Sequence, residues 1–478
     1  MPVTDRLSDA KRSLLGKYRA GNTAVPRAST IPRRREGVLA PLSLSQEELW
    51  RREQVPGIPP LYNECVAVRM RGRLEIPVLE RAITEIIQRH EIWRTTFETR
   101  AGAPIQVVHP VTPVSLPIAD VRSVPAAVRE DEAIRLMNAE TRRPFRLNHE
   151  PPLRPMLVRM ADSEYWLFLI AHLIVLDGPS AYQIFPMEVA EFYKAFTTGR
   201  TPNLRELPIQ CADFACWQRE SLAADIEKQF AYWREQLGCD DSLEQWPNDK
   251  PRPSSRSYRG VIRPFELSTE TSQKLRDFSH RENTTPFLTL LAGFANLLHS
   301  YSRREKILLG TLSPSGRKRS EVLNLLGYFL NPVTLKFDFA TDPTFAELLI
   351  QARKVMAGAI GNDDVPIEHI ARQVKPGDSS PSPFFRTAIS LQPSTPNLDL
   401  DWSVTSMDVD SGGSPWELYL AFIDRPQGMI GRAQFDPDVF DEDSVRQIVK
   451  DLDRLLAELT ANPQLRFSND FARPVGTA

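Results

Sequence analysis

The residues with the strongest claim to chemistry lie in one short string, HLIVLDG at 172–178, where a histidine stands five positions before an aspartate. An imidazole there could move a proton near neutral pH, and a carboxylate could orient it. The string closes a nearly all-apolar run, YWLFLIAHLIVL at 165–176. In such a run a lone histidine is more often a core residue with satisfied partners, so His172 reads as structural. Asp177-Gly178 reads as the turn that ends the strand. Leu173 can neither accept a proton nor hydrogen-bond an oxyanion. Ser315, Arg317, Lys318 and Arg319 make a small basic loop that could meet a phosphate, with a solvated loop as the simpler reading.

Other reaction classes find no support. The chain carries no GxSxG elbow, P-loop, Rossmann glycine pattern or HExxH. Its cysteines, at 65, 211, 216 and 239, form neither a CxxC pair nor a Cys/His metal pattern, and read as reduced structural thiols. No bound cofactor is expected. The aspartates around 436–443 read as caps of the last helix. A formal charge of −2 lacks the basic footprint that nucleic acid requires. The apolar runs are too short to span a bilayer, and the N-terminus is charged where a signal peptide is apolar. The expectation is a cytoplasmic protein with neither a nucleic-acid nor a membrane partner.

The elements that must position these residues follow from length and periodicity. With 478 residues, the chain exceeds one hydrophobic core, so two α/β lobes of about 200 residues each are expected. A short helix (7–20) and a Pro/Arg-containing linker whose arginines read as solvated occupy 1–38. The first lobe spans 39–238, with a helix opened by Pro77, another over roughly 125–142, strands at 153–160 and 165–176, a helix from Pro179 to about 197, and a long helix over roughly 213–237. A polar, proline-rich linker (239–260) leads to a second lobe (261–465) and a tail (466–478). That lobe mixes strands with helices and ends in a helix over 442–460, whose apolar stripe runs from Val445 to Leu459.

Several strings, in one order and register, are similar to those of the condensation domains of nonribosomal peptide synthetases. SLSQEELW (43–50) resembles SxAQxRLW, RHEIWRTTF (89–97) resembles RHExLRTxF, HLIVLDG resembles HHxxxDG, and CADFACW (211–217) resembles YxDFAxW. PNDKPRP (247–253), GYFLNP (327–332), DDVPIE (363–368) and, more weakly, the stretch at 378–385 that ends in PSPFF continue the series.

The resemblance implies a fold similar to chloramphenicol acetyltransferase, with two lobes in a V-shaped pseudo-dimer around a central tunnel. It implies donor and acceptor carrier proteins as partners, each supplying a phosphopantetheine arm, and an adjacent adenylation domain or a tailoring enzyme as a further neighbour. The acceptor amine attacks the donor thioester and forms an amide. It also implies that Leu173 occupies the place of the tunnel-facing histidine, that Asp177 pairs with Arg94, that Gly178 leaves room for an arm, and that Asn331 lies at the tunnel. Two functions are then close: a condensing domain with divergent or reduced catalysis, and an inactive platform that recruits a tailoring enzyme or carrier.

Overall fold

Strand β7 (Glu164–His172) shows why the apolar run folds as it does. In the computed structural model, which describes residues 30–35, 37–222, 225–238, 249–253, 255–374, 384–392, 396–405 and 409–466, its residues from Tyr165 onward are all buried. A strand covered on both faces has no solvent side and so shows no alternation. The chain divides into two units, Met1–Pro32 and Arg33–Ala478, and the sheets belong to the second. The helix expected at 7–20 lies outside the described residues.

The first half comprises β1 (Ala40–Pro41), α1 (Leu44–Glu53), β2 (Asn63–Arg71), α2 (Ile76–Arg89), β3 (Thr95–Arg100), β4 (Ala103–Val108), β5 (Ile118–Asp120), α3 (Arg129–Thr141), β6 (Leu153–Ala161), β7 (Glu164–His172), α4 (Phe185–Thr197), α5 (Cys211–Leu222) and α6 (Ile226–Leu237). The helix opened by Pro77 buries Leu79, Ala82, Ile83, Ile86 and Ile87, the stripe its periodicity predicts. Two expectations are corrected. The strand over 165–176 ends at His172, because Leu173–Val175 turn into one 3-10 turn, and the long helix over 213–237 is two helices, α5 and α6.

The second half contributes β8 (Val261–Glu266), α7 (Thr269–Arg281), α8 (Pro286–Ser302), β9 (Lys306–Ser313), β10 (Asn331–Asp338), α9 (Phe345–Ile360), α10 (Ile367–Val374), β11 (Thr387–Gln392), β12 (Trp402–Thr405), β13 (Leu418–Arg425), β14 (Gly428–Phe435) and α11 (Glu442–Ala461). Among the described residues, a six-stranded sheet runs β10-β9-β11-β13-β14-β8, with β11 parallel to both neighbours. The five-stranded sheet of the first half runs β12-β2-β7-β6-β5. Its edge strand β12 comes from the second half and pairs antiparallel with β2, so the chain crosses between the sheets after β11.

The last helix buries Val445, Ile448, Val449, Leu452, Leu455, Leu456 and Leu459, as its pattern predicts. Asp441 sits at its N-cap without a side-chain cap bond. Asp436 and Asp438 instead pair with Arg256 and Arg259, so of the expected capping cluster Asp441 holds the N-cap position and Asp443 lies in the first turn. One linker arginine is corrected as well. Arg34 is half-buried and bonds Asp213 of α5 and Glu91, which straps the segment down.

Candidate functional site

The turn after β7 is built by its own side chains. His172 is fully buried, and its Nδ1 accepts from the backbone N–H of Ile174 at 3.0 Å. That leaves the proton on Nε2, which faces Glu53 Oε1 at 3.1 Å. Tyr62 and Phe145 meet the ring edge-on. Gln46 of α1 donates to the carbonyl of Ile174 and ties that helix to the turn. Leu173 points the other way along the chain's path: its backbone N–H bonds the Tyr62 carbonyl, and it lines an internal cavity.

Asp177 is the bracing residue of the turn, and its partner is not Arg94. Arg317 meets it in a two-pronged pair, Nε to Oδ2 at 2.9 Å and Nη2 to Oδ1 at 2.7 Å. The backbone N–H groups of Ser180 and Phe329 complete four bonds to the carboxylate. Arg317 also donates to Ser180 Oγ and to the carbonyls of Val322 and Leu325. A carboxylate and guanidinium so fully bonded are committed to holding structure. Arg94 instead donates to the carbonyl of His109, 2.5 Å away, at the far end of its own hairpin. Arg317, read from sequence as part of a solvated loop, is buried, as is Ser315. Lys318 pairs with Asp363, and Arg319 lies over the Trp217 ring, so the loop offers no free basic cluster.

Gly327 shows how tightly this brace is packed. Its carbonyl and N–H both bond Ser180 Oγ, and a Cβ at this position would come within 2.5 Å of Cys211 Sγ. Burial pushes the Cys65 and Cys211 thiols up, so they stay protonated.

The cavity, about 100 Å³, lies between the two sheets. Leu173, Asp177, Gly178 and Asn331 line it; His172, Ser315 and Arg94 do not. Asn331 heads β10 and is fully buried. Its Nδ2 donates to the carbonyls of Asp363 and Val365, at 2.8 and 2.9 Å, which fixes Oδ1 as the free end. Among the described residues, Oδ1 has no hydrogen-bond partner. An unmet buried acceptor costs about 1–3 kcal/mol, so the site favours a ligand that brings an N–H or O–H.

Sequence reasoning missed most of the other polar lining. Arg432 of β14 bonds both carboxylate oxygens of Glu64 on β2, at 3.2 and 2.9 Å, and so links the two sheets across the cavity. Tyr419 bonds Ser390 at 2.6 Å. Glu48 of α1 and Glu368 of α10 complete the acidic side. Such residues carry no sequence signal, because pairing across sheets is set by packing. The exceptions are Glu48 and Glu368, which stand in the quoted SLSQEELW and DDVPIE strings.

Burial acts to raise the Glu48 carboxyl, but His369, 2.8 Å away and poorly aligned, and the guanidinium of Arg372 at 2.7 Å more than offset it and hold the group well below the usual range. A depressed carboxyl contributes stability above its ordinary value of 4.5, and that contribution is lost as pH falls toward about 2. Glu48→Gln is therefore expected to reduce the drop in melting temperature between pH 5 and pH 3. An acid limb identical to the parent's would show that the α1–α10 contact contributes nothing.

Comparison with known proteins agrees with this architecture. The condensation domain family model matches residues 38–472. The chain is 34% identical over 473 residues to one of the subunits of linear gramicidin synthase from Brevibacillus parabrevis, a match that covers 97% of this chain but only 6% of that protein. Among solved structures, the complex of the X-domain and OxyB from teicoplanin biosynthesis matches with a TM-score of 0.78 at 24% identity, over 94% of this chain and 99% of that one. The first condensation domain of the calcium-dependent antibiotic synthetase matches with a TM-score of 0.79 at 20% identity, over 91% and 99%. Among the described residues, no helix is long and apolar enough to cross a membrane. With the family model spanning both sheets and the cavity between them, the chain belongs to the condensation-domain family of nonribosomal peptide synthetases.

Proposed function

We propose that the chain joins a donor acyl or peptidyl thioester to the amine of an acceptor aminoacyl thioester, and does so without a histidine at position 173. Donor and acceptor carrier proteins deliver the two groups on phosphopantetheine arms, and an adjacent adenylation domain supplies the aminoacyl group. The observation that carries this reading is the cavity itself. It is lined from both sheets at the Asp177-Gly178 turn and holds the unmet Asn331 acceptor.

The chemistry requires little of the protein. An α-amine has a pKa of about 7.7–8.0, so a useful fraction is neutral near pH 7.5. Holding amine and thioester in near-attack geometry can supply about 7–11 kcal/mol of the barrier, more than the ~10²–10⁴-fold of a general base. The leucine at 173 then weakens catalysis without abolishing it. The competing reading, a platform that recruits a tailoring enzyme, draws support from that same leucine. Among the described residues, the large exposed apolar side chains are the adjacent Val38 and Leu39, with Val55, Ile118, Val128, Met187, Leu323, Ile350 and Leu465 spread along the chain.

The test is to present the chain with donor and acceptor carriers, each loaded with proteinogenic aminoacyl thioesters, and to look for the dipeptidyl carrier by mass spectrometry. Condensed product supports the proposal. Its absence for every pair, together with capture of a tailoring enzyme, selects the platform.

A further inference from the structure

Most ionisable groups around the cavity are already committed. Asp177 is saturated by Arg317, Glu64 by Arg432, and Glu48 by Arg372. His172 faces Glu53, away from the cavity. Tyr62 and Tyr328 line it, but burial raises both phenols and keeps them protonated, so neither is a base. Glu368 is different. It opens α10, lines the cavity, and has no cation within ion-pair distance among the described residues. Its exposure is intermediate.

A second observation points to what it meets. Asn331 is pinned through Nδ2 to the carbonyls of Asp363 and Val365, on the segment that leads directly into Glu368. The unmet Oδ1 of Asn331 and the uncommitted carboxylate of Glu368 are thus two acceptors held on one piece of structure. A primary amine, with more than one N–H to donate, suits such a pair.

We infer that Glu368 accepts the proton of the attacking amine, with Asn331 Oδ1 holding a second N–H. The inference rests on the condensation reading above. As the amine nitrogen bonds the thioester carbon, its proton passes to the Glu368 carboxylate. Collapse of the tetrahedral adduct breaks the C–S bond, and the departing thiolate takes that proton, so Glu368 ends ionised. The surroundings suit this role. Burial pushes the carboxyl up to about 7, the Glu48 charge adds to the rise, and Arg52 and Arg372 partly offset it. A base of that strength is matched to an amine near neutral pH. Leu173 and Leu176 on the same lining supply no competing acceptor.

The test compares parent and Glu368→Gln in the loaded-carrier assay from pH 6 to 9. Glu368→Gln is expected to lower the rate by about 10²-fold, leave the apparent KM for each carrier unchanged, and flatten the rise in rate near neutrality. Leu173→His in the Glu368→Gln background is expected to recover most of the loss by restoring a base to the cavity. Melting temperature separates this from a structural role. A carboxyl raised in the folded state destabilises once ionised, so Glu368→Gln is expected to melt higher than the parent at pH 8. A parent-like rate and pH profile for Glu368→Gln overturns the assignment and leaves condensation standing. So does a rate loss accompanied by a lower melting temperature and an unchanged pH profile. If the parent itself forms no product, the condensation reading fails and this assignment falls with it.

Discussion

Asp177→Ala is expected to destabilise the protein by about 3–5 kcal/mol, because it leaves the Arg317 guanidinium buried without its carboxylate. The melting temperature should fall by several degrees and the soluble yield with it. Arg317→Ala should cost as much, since it strands the opposite charge. The double variant should cost less than the sum of the two, the signature of a coupled pair. Arg94→Ala is the control. Arg94 donates to one carbonyl, that of His109, so its loss should cost about 1 kcal/mol. Equal destabilisation by Asp177→Ala and Arg94→Ala would contradict the pairing described here. Thermal melts of the four variants decide it.

Gly178→Phe is expected to have the largest effect on activity. Gly178 lines the cavity beside the brace, and a benzyl group there would occupy most of the space of about 100 Å³. Displacing reacting groups by even 1 Å can cost about 10²-fold, so amide formation should fall by at least that much. Asp177 and its four bonds are untouched, so the melting temperature should stay close to the parent's. Condensation at the parent rate by a folded Gly178→Phe would place the substrate path elsewhere.

Much of the local structure was legible from residue order. The stripes of Ile76–Arg89 and Glu442–Ala461 place large apolar side chains three and four residues apart, and a helix buries such a stripe wherever it docks. The run through β7 is apolar at every position from Tyr165 to Ala171, which only a strand or helix covered on all sides can tolerate. The family strings, in register from 43 to 385, led to the cavity-lining Leu173, Asp177, Gly178 and Asn331.

Pairing over distance was not legible. The resemblance implied Arg94 as the partner of Asp177, and only the folding of the 315–318 turn against Ser180 and Phe329 brings Arg317 within 2.7 Å instead. The β7 run could have continued to 176, but His172 accepts the N–H of Ile174 and turns the chain. Arg34 looked solvated until α5 presented Asp213 to it. β12 joins the first sheet because β2 has an open edge there, and an open edge is a property of the assembled sheet. Residue order states which groups are apolar and which helices and strands they favour, since those preferences act within a few residues. Which charge meets which, and which carboxylate is left without a cation, depends on groups brought together from across the chain, and only close packing in three dimensions settles it.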